Sequence, residues 1–171
     1  MKKIKDPILL GIIAGLTGNV FKNAGDILSV KLGTSHTSYP RMAGSLFMNK
    51  RKTKTPIGKT VGWLTDAAMA AGLGVGYVYV LKFTGKDHAL MKGVGYAHGT
   101  WTLILGGSNK IMASSIYPQD PKTLLSQYAT HTLYGVGACL AATVFGDEDL
   151  FRKEDIESTA RDFHSQSPGT P

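Results

Sequence analysis

At 171 residues the chain has room for one domain, and a formal charge of +7 with a mean hydropathy of −0.03 places it between a soluble domain and a polytopic membrane protein. Its single cysteine, Cys139, excludes an intrachain disulfide framework and a cysteine-based zinc site, and reads as a small apolar filler. The 21 glycines fall within apolar runs, where each would weaken a helix in water by about 1 kcal/mol relative to alanine; helices in lipid use small residues to approach closely, so composition favours the bilayer.

In chain order, Lys2, Lys3 and Lys5 precede an uncharged run from Pro7 to Phe21. The arrangement superficially resembles a signal peptide, but no small-residue cleavage site closes it, and the helical pattern continues to about residue 32, so a first span over 7–32 is expected to stay in the mature protein. Gly11 and Gly15 share a face, a small-xxx-small contact. Lys22 and Asp26 stand one helical turn apart and could neutralise each other, with Asn23 beside them. From Gly33 to Lys59 a polar connection contains a possible short helix, with Pro40 near its start and Met42, Leu46 and Phe47 as its apolar side, expected in the interface.

Lys50, Arg51, Lys52, Lys54 and Lys59 form a basic flank before the second span, read as a topogenic segment; aromatic interleaving of the kind that binds single-stranded nucleic acid is lacking, and no nucleic-acid partner is expected. Gly58-Lys59-Thr60 imitates the end of a phosphate-binding loop, but Thr53 stands where that motif needs glycine. The second span, 61–81, carries a single charge, Asp66. Gly72, Gly74 and Gly76 lack the context of a dinucleotide fingerprint and are read as helix packing.

A tight 82–92 connection makes spans two and three antiparallel neighbours. The third span, 90–109, holds Gly95, His98, Gly99 and Trp101; prolines 118 and 121 break the pattern; the fourth, 123–146, holds His131 and Gly135. Residues 147–171 form an acidic extramembrane tail with an expected short amphipathic helix on Ile156, Ala160 and Phe163. With four crossings, each side of the membrane receives nine Lys and Arg, so the positive-inside rule leaves orientation undecided.

The fold expected is all-α: a polytopic membrane protein built as a four-helix transmembrane bundle over 1–146, with a short interfacial helix and a polar C-terminal tail. Chemistry, if any, rests on the intramembrane polar residues Lys22, Asn23, Asp26, Asp66, His98 and His131, because charge deep in lipid is costly and faces a partner or a wet cavity. Asp66 has Lys22, His98 or His131 as candidate partners. Helix packing is assigned to Gly11, Gly15, Gly72, Gly76, Gly95, Gly99 and Gly135. Three functions stay open: a structural or assembly component; a proton- or ion-conducting bundle using Asp66 with Lys22 or a histidine; and an electron carrier with haem held between His98 and His131. No catalytic motif of the His-Glu-x-x-His or Gly-x-Ser-x-Gly kind occurs, and neither a metal nor a resident cofactor is expected.

The run KTPIGKTVGWLTDAAMAAGLGVGYVYVLKFTGKDHALMKG, followed by PQDPKTLLSQYATHTLYGVG, resembles an uncharacterised family of small four-span integral membrane proteins of anaerobic spore-forming bacteria, over residues 7–146. The resemblance implies a multi-pass location in the bacterial cytoplasmic membrane. It supplies no activity, cofactor or catalytic residue. This chain departs from the family in its more polar spans and long acidic tail, which suggest buried polar contact with further copies or with other membrane subunits.

Overall fold

A computed structural model describes residues 3–111 and 120–152; the expected amphipathic helix on Ile156, Ala160 and Phe163 lies outside them. The regular elements among the described residues are all helical: α1 (Pro7–Lys31), α2 (Tyr39–Gly44), α3 (Pro56–Thr84), α4 (Ala89–Ile111) and α5 (Pro121–Phe145), with short 3₁₀ turns at Lys52–Lys54 and Glu148–Phe151.

Three of the four long helices start by one device. Asp6, Thr55 and Asp120 each accept a backbone N–H three residues on, from Leu9 at 2.7 Å, Gly58 at 3.1 Å and Thr123 at 3.0 Å, and proline follows each cap. Proline suits this position because its fixed φ is helical and it brings no orphan N–H. The device starts α3 at Pro56, five residues before the expected span, and places Gly58-Lys59-Thr60 in an ordinary first turn. Gly85, at φ 81°, ends α3, its N–H donating to the Leu81 carbonyl at 2.8 Å. α3 also runs three residues past its expected end, and the expected boundaries of α1, α4 and α5 agree with the observed ones within two residues.

α1 packs against α3 on one side and α5 on the other, and α4 packs against α5. Neighbouring long helices run antiparallel: Gly11 faces Val75 while Lys22 meets Asp66, and Gly93 faces Gly135 while His98 reaches Thr132. The α1–α3 crossing is so close that a Cβ on Gly74 would overlap the backbone of Gly11 and Gly15. A Cβ on Gly135 would meet the Gly93 carbonyl at 2.6 Å. These crossings need glycine for the approach itself.

Gly76 lies against the Tyr96 hydroxyl, but Gly72, Gly95 and Gly99 have no neighbour within 4 Å among the described residues, which do not fill the expected packing role at those three positions. Helical spacing alone cannot say which glycine face of a helix is turned inward.

The core of this end of the molecule consists of Leu10, Ala14, Tyr77, Val78, Leu81, Ala138, Cys139, Ala142 and Phe151. Cys139 is a buried filler, as expected. Packing continues past Gly146: the Ile4 N–H donates to the Phe145 carbonyl at 2.9 Å, the Asp147 N–H donates to the Ile4 carbonyl at 3.0 Å, and Phe151 is buried.

Two helices, α1 and α3, are long and apolar enough to cross a membrane, and only 44% and 33% of their most apolar stretches are buried in the protein. On α1 the buried residues are Leu10, Gly11, Ala14, Gly15, Gly18, Asn19, Lys22, Asn23 and Asp26, whereas Leu9, Leu16, Val20, Phe21, Ile27 and Leu28 are exposed. Small and polar side chains face inward and large apolar ones outward, the reverse of a core helix in a water-soluble domain.

Tyr39, Pro40, Ala43 and Gly44 of α2 are buried, and Gly62 of α3 lies beneath the Pro40 carbonyl, so this short helix is folded against the first turns of α3. Of its expected apolar side, Met42 and Leu46 line an internal cavity and Phe47 is exposed.

Candidate functional site

Residues Asn19, Lys22, Asn23 and Asp26 recur at intervals of three and four along α1, so they form one polar stripe, and all four are buried. α3 presents Asp66 to this stripe. The Lys22 ammonium donates to Asp66 Oδ1 at 2.6 Å, and Asn23 Nδ2 donates to Asp66 Oδ2 at 2.9 Å and to Asn19 Oδ1 at 3.0 Å. Of the three candidate partners of Asp66, the structure selects Lys22. Lys22 and Asp26 do not pair as expected: Asp26 instead accepts the Tyr39 N–H at 3.1 Å, anchoring the start of α2. At 1.5 Å rise per residue, Lys22 lies about 14 Å from the end of α1 and Asp66 about 15 Å from the start of α3, so the pair is level.

Tyr39 joins the two sides of the site. Its ring carries the Lys22 ammonium 4.4 Å from the centroid, a cation–π contact. Its hydroxyl donates to the Gln127 carbonyl at 2.7 Å and lies 2.9 Å from Thr130 Oγ1 and 2.8 Å from His131 Nδ1. His131 Nδ1 is also 3.0 Å from the Gln127 carbonyl. A carbonyl only accepts, so the arrangement assigns the proton to Nδ1 and leaves Nε2 as an acceptor. Thr123, Gln127, Thr130 and Tyr134 form the matching buried stripe on α5.

Lys22, Tyr39, Asp66, His131 and Tyr134 form the polar lining of a cavity of about 90 Å³ whose remaining walls are apolar, with Met69 and Leu73 on α3 and Trp101, Ile104 and Leu105 on α4. Near the 85–88 connection the Tyr77 hydroxyl donates to the Ala89 carbonyl at 2.8 Å and the Tyr77 ring stands 5.9 Å from that of Tyr96. Farther along, α3 and α4 face each other across the cavity. Asn23 Oδ1, Thr37 Oγ1 and Gln127 Oε1 are buried without a hydrogen-bond partner among the described residues, all in this polar half.

His98 and His131 make separate contacts. The His98 ring stacks on Tyr128 with centroids 3.9 Å apart, its Nε2 lies 3.0 Å from Thr132 Oγ1, and Trp101 touches both Tyr128 and His131. Among the described residues no group of three His, Cys, Asp or Glu side chains could hold a metal ion.

Of the expected polar residues, Lys22, Asn23 and Asp66 meet in one network, Asp26 and His131 join through Tyr39, and His98 stands apart. Asn19, Tyr39 and Gln127 belong to the site without having been expected there; Asn19 and Gln127 are findable as polar residues at helical spacing in otherwise apolar segments, whereas Tyr39 has only its place beside Pro40 to mark it. No protein-family model, curated protein or solved structure matches the chain.

Proposed function

We propose that this chain is a four-span integral protein of the bacterial cytoplasmic membrane, its four long helices forming a transmembrane bundle, and that it serves as a non-catalytic assembly component, self-associating or acting as a small subunit of a larger membrane complex. The likeness to small four-span membrane proteins belongs to this proposal. The observation that carries it is the inverted distribution of side chains: Leu28, Leu64, Leu103 and Leu125 point outward on four different helices while Asn19, Lys22, Asp66 and Gln127 are buried. In water that arrangement is costly on both counts; in hydrocarbon both costs become gains. The unfilled glycine positions support assembly. Gly95 and Gly99, one turn apart on α4, have open space where a second helix could approach.

Conduction through Asp66 has less support. The polar groups occupy one end of the described structure, and the other end is closed by Leu10, Ala14, Tyr77, Val78 and Leu81 packed without a polar path.

Topology is the decisive experiment. In a Cys139→Ser background, His36→Cys and Asp87→Cys should be labelled by a membrane-impermeant maleimide from opposite faces of the membrane; labelling of both from one face would remove the four-span reading. Gly95→Leu with Gly99→Leu should shift the detergent-solubilised protein toward monomer while leaving its helicity intact.

A further inference from the structure

The cavity beside Lys22 presents three kinds of chemistry at once. Its charge is internally balanced, because the two charged side chains that line it, Lys22 and Asp66, are paired at 2.6 Å. An anion entering here would meet the Asp66 carboxylate; a cation would meet the Lys22 ammonium. An uncharged guest avoids both penalties.

The hydrogen-bonding groups left over are complementary. An ammonium has three donors, and among the described residues Lys22 places one on Asp66 and rests against the Tyr39 ring, with no other oxygen partner. His131 holds Tyr39 and Gln127 through Nδ1, and Nε2 has no partner among the described residues. Both side chains line the cavity. A hydroxyl group answers both, since its oxygen accepts from the lysine and its hydrogen is donated to the imidazole.

The walls add shape. Tyr39 and His131 stand edge to face with centroids 5.1 Å apart, Trp101 and His131 are 6.0 Å apart, and Tyr134 closes the same space. Aromatic rings favour such edge and offset neighbours.

We propose that this cavity is a binding site for an uncharged hydroxylated aromatic ring, a phenol or hydroquinone head, with its hydroxyl between Lys22 and His131 and its ring among Tyr39, Trp101 and Tyr134. The site goes beyond the assembly reading and does not depend on it, because the cavity lies within a single chain. Substituents on the ring would leave through the gap between α3 and α4, past Met69 and Ile104.

The test uses Trp101 as reporter. The chain has two tryptophans, and Trp63 is exposed on α3, so Trp63→Phe leaves Trp101 as the sole indole. The full chain in detergent is titrated at neutral pH with para-bromophenol, whose bromine quenches indole fluorescence on contact. Saturable quenching is expected. It should weaken by about tenfold with para-bromoanisole, which lacks the donor, and further with para-bromobenzoate, which is anionic. His131→Phe should also weaken para-bromophenol by about tenfold, the loss of one hydrogen bond. Ala43→Leu, which fills the cavity without touching its hydrogen-bonding groups, should abolish saturation while circular dichroism reports retained helix. Non-saturating quenching, or equal quenching by all three compounds, overturns the proposal even if neither cavity variant folds. So does full quenching in a folded Ala43→Leu protein.

Discussion

The half of the molecule around Lys22 and Asp66 and the half around Gly15 and Gly74 are built from the same two helices, α1 and α3, yet they hold those helices together by opposite means. In the glycine half the backbones touch, and no side chain lies between them at the crossing. In the polar half a lysine, two asparagines and an aspartate span the gap, and α2 and α5 complete the wall around a cavity of about 90 Å³. Close contact of small residues fixes where two helices cross and leaves little room for change. Long polar side chains hold helices apart at a set distance, and a space remains. The difference explains how one pair of helices can be a rigid joint at one end and a receptacle at the other.

The sharpest way to break that contrast is to remove one charge. Asp66→Leu leaves the Lys22 ammonium buried without its carboxylate, and should cost about 3–5 kcal/mol in reversible unfolding from mild to denaturing detergent. The double variant Lys22→Met with Asp66→Leu should recover most of that loss, because the uncompensated charge is gone. If the two single losses simply add in the double variant, the pair does not hold the polar half together. In the glycine half the matching test is a pair of alanines. Gly74→Ala drives a methyl into the backbone of Gly11 and Gly15, for an expected loss of about 1–3 kcal/mol. Gly72→Ala, two residues away and facing open space, should be neutral or stabilising by up to about 1 kcal/mol through helix propensity alone. Equal effects at the two positions, read in the same unfolding assay, would mean that the close crossing is not what glycine supplies.

The helices themselves are legible from their long apolar runs, and three of the four also carry a local start signal. Asp6-Pro7, Thr55-Pro56 and Asp120-Pro121 are caps with proline at the first helical position, and the long apolar runs between them leave no other structure open. The polar residues on α1 and α3 were legible for a related reason: charge in an apolar run needs a partner. What could not be read was which partner. Lys22 has Asp26 within its own helix and Asp66 across the interface, and only the crossing geometry, set about two turns away at Gly15 and Gly74, brings Asp66 into reach. The same limit applies to Gly72 and Gly74, which differ in role because they point to different sides of one helix. Tyr39 escaped notice because its importance is wholly tertiary; nothing in TSHTSYPRMAG states that this hydroxyl will meet α5.

Tyr39 therefore offers a smaller and more local test. Tyr39→Phe keeps the ring under the Lys22 ammonium and removes only the hydroxyl, so the expected loss is about 0.5–1.5 kcal/mol. The change should fall on the α2–α5 side alone, and Gly74→Ala combined with it should be additive. Coupling between the two would mean that the halves communicate through α1.

The smallest effects belong to the ends of the helices, outside the apolar region, and they depend on pH. At the end near the glycine half, the Lys86 ammonium donates to Glu148 at 2.7 Å and holds its carboxyl below the usual range. At the other end, the Thr123 hydroxyl and N–H hold the Asp120 carboxyl below its usual range, with contacts of 2.7 and 3.0 Å. A carboxyl whose folded pKa is depressed contributes stability that is complete above its unfolded pKa and disappears as pH falls through its folded one. Acidification from neutral to about pH 3 should therefore lower the melting temperature slightly at both ends. Both groups are reached by solvent, so high salt should weaken the Lys86–Glu148 contribution, an ion pair, more than that of Asp120, whose main partners, the Thr123 hydroxyl and N–H, are uncharged. Glu148→Gln removes the first contribution and leaves the second; Asp120→Asn does the reverse while keeping a competent helix cap. A melting curve whose acid sensitivity in Glu148→Gln remains salt-dependent would place the responsible charge elsewhere and detach the Glu148–Phe151 turn from the stability of the glycine half.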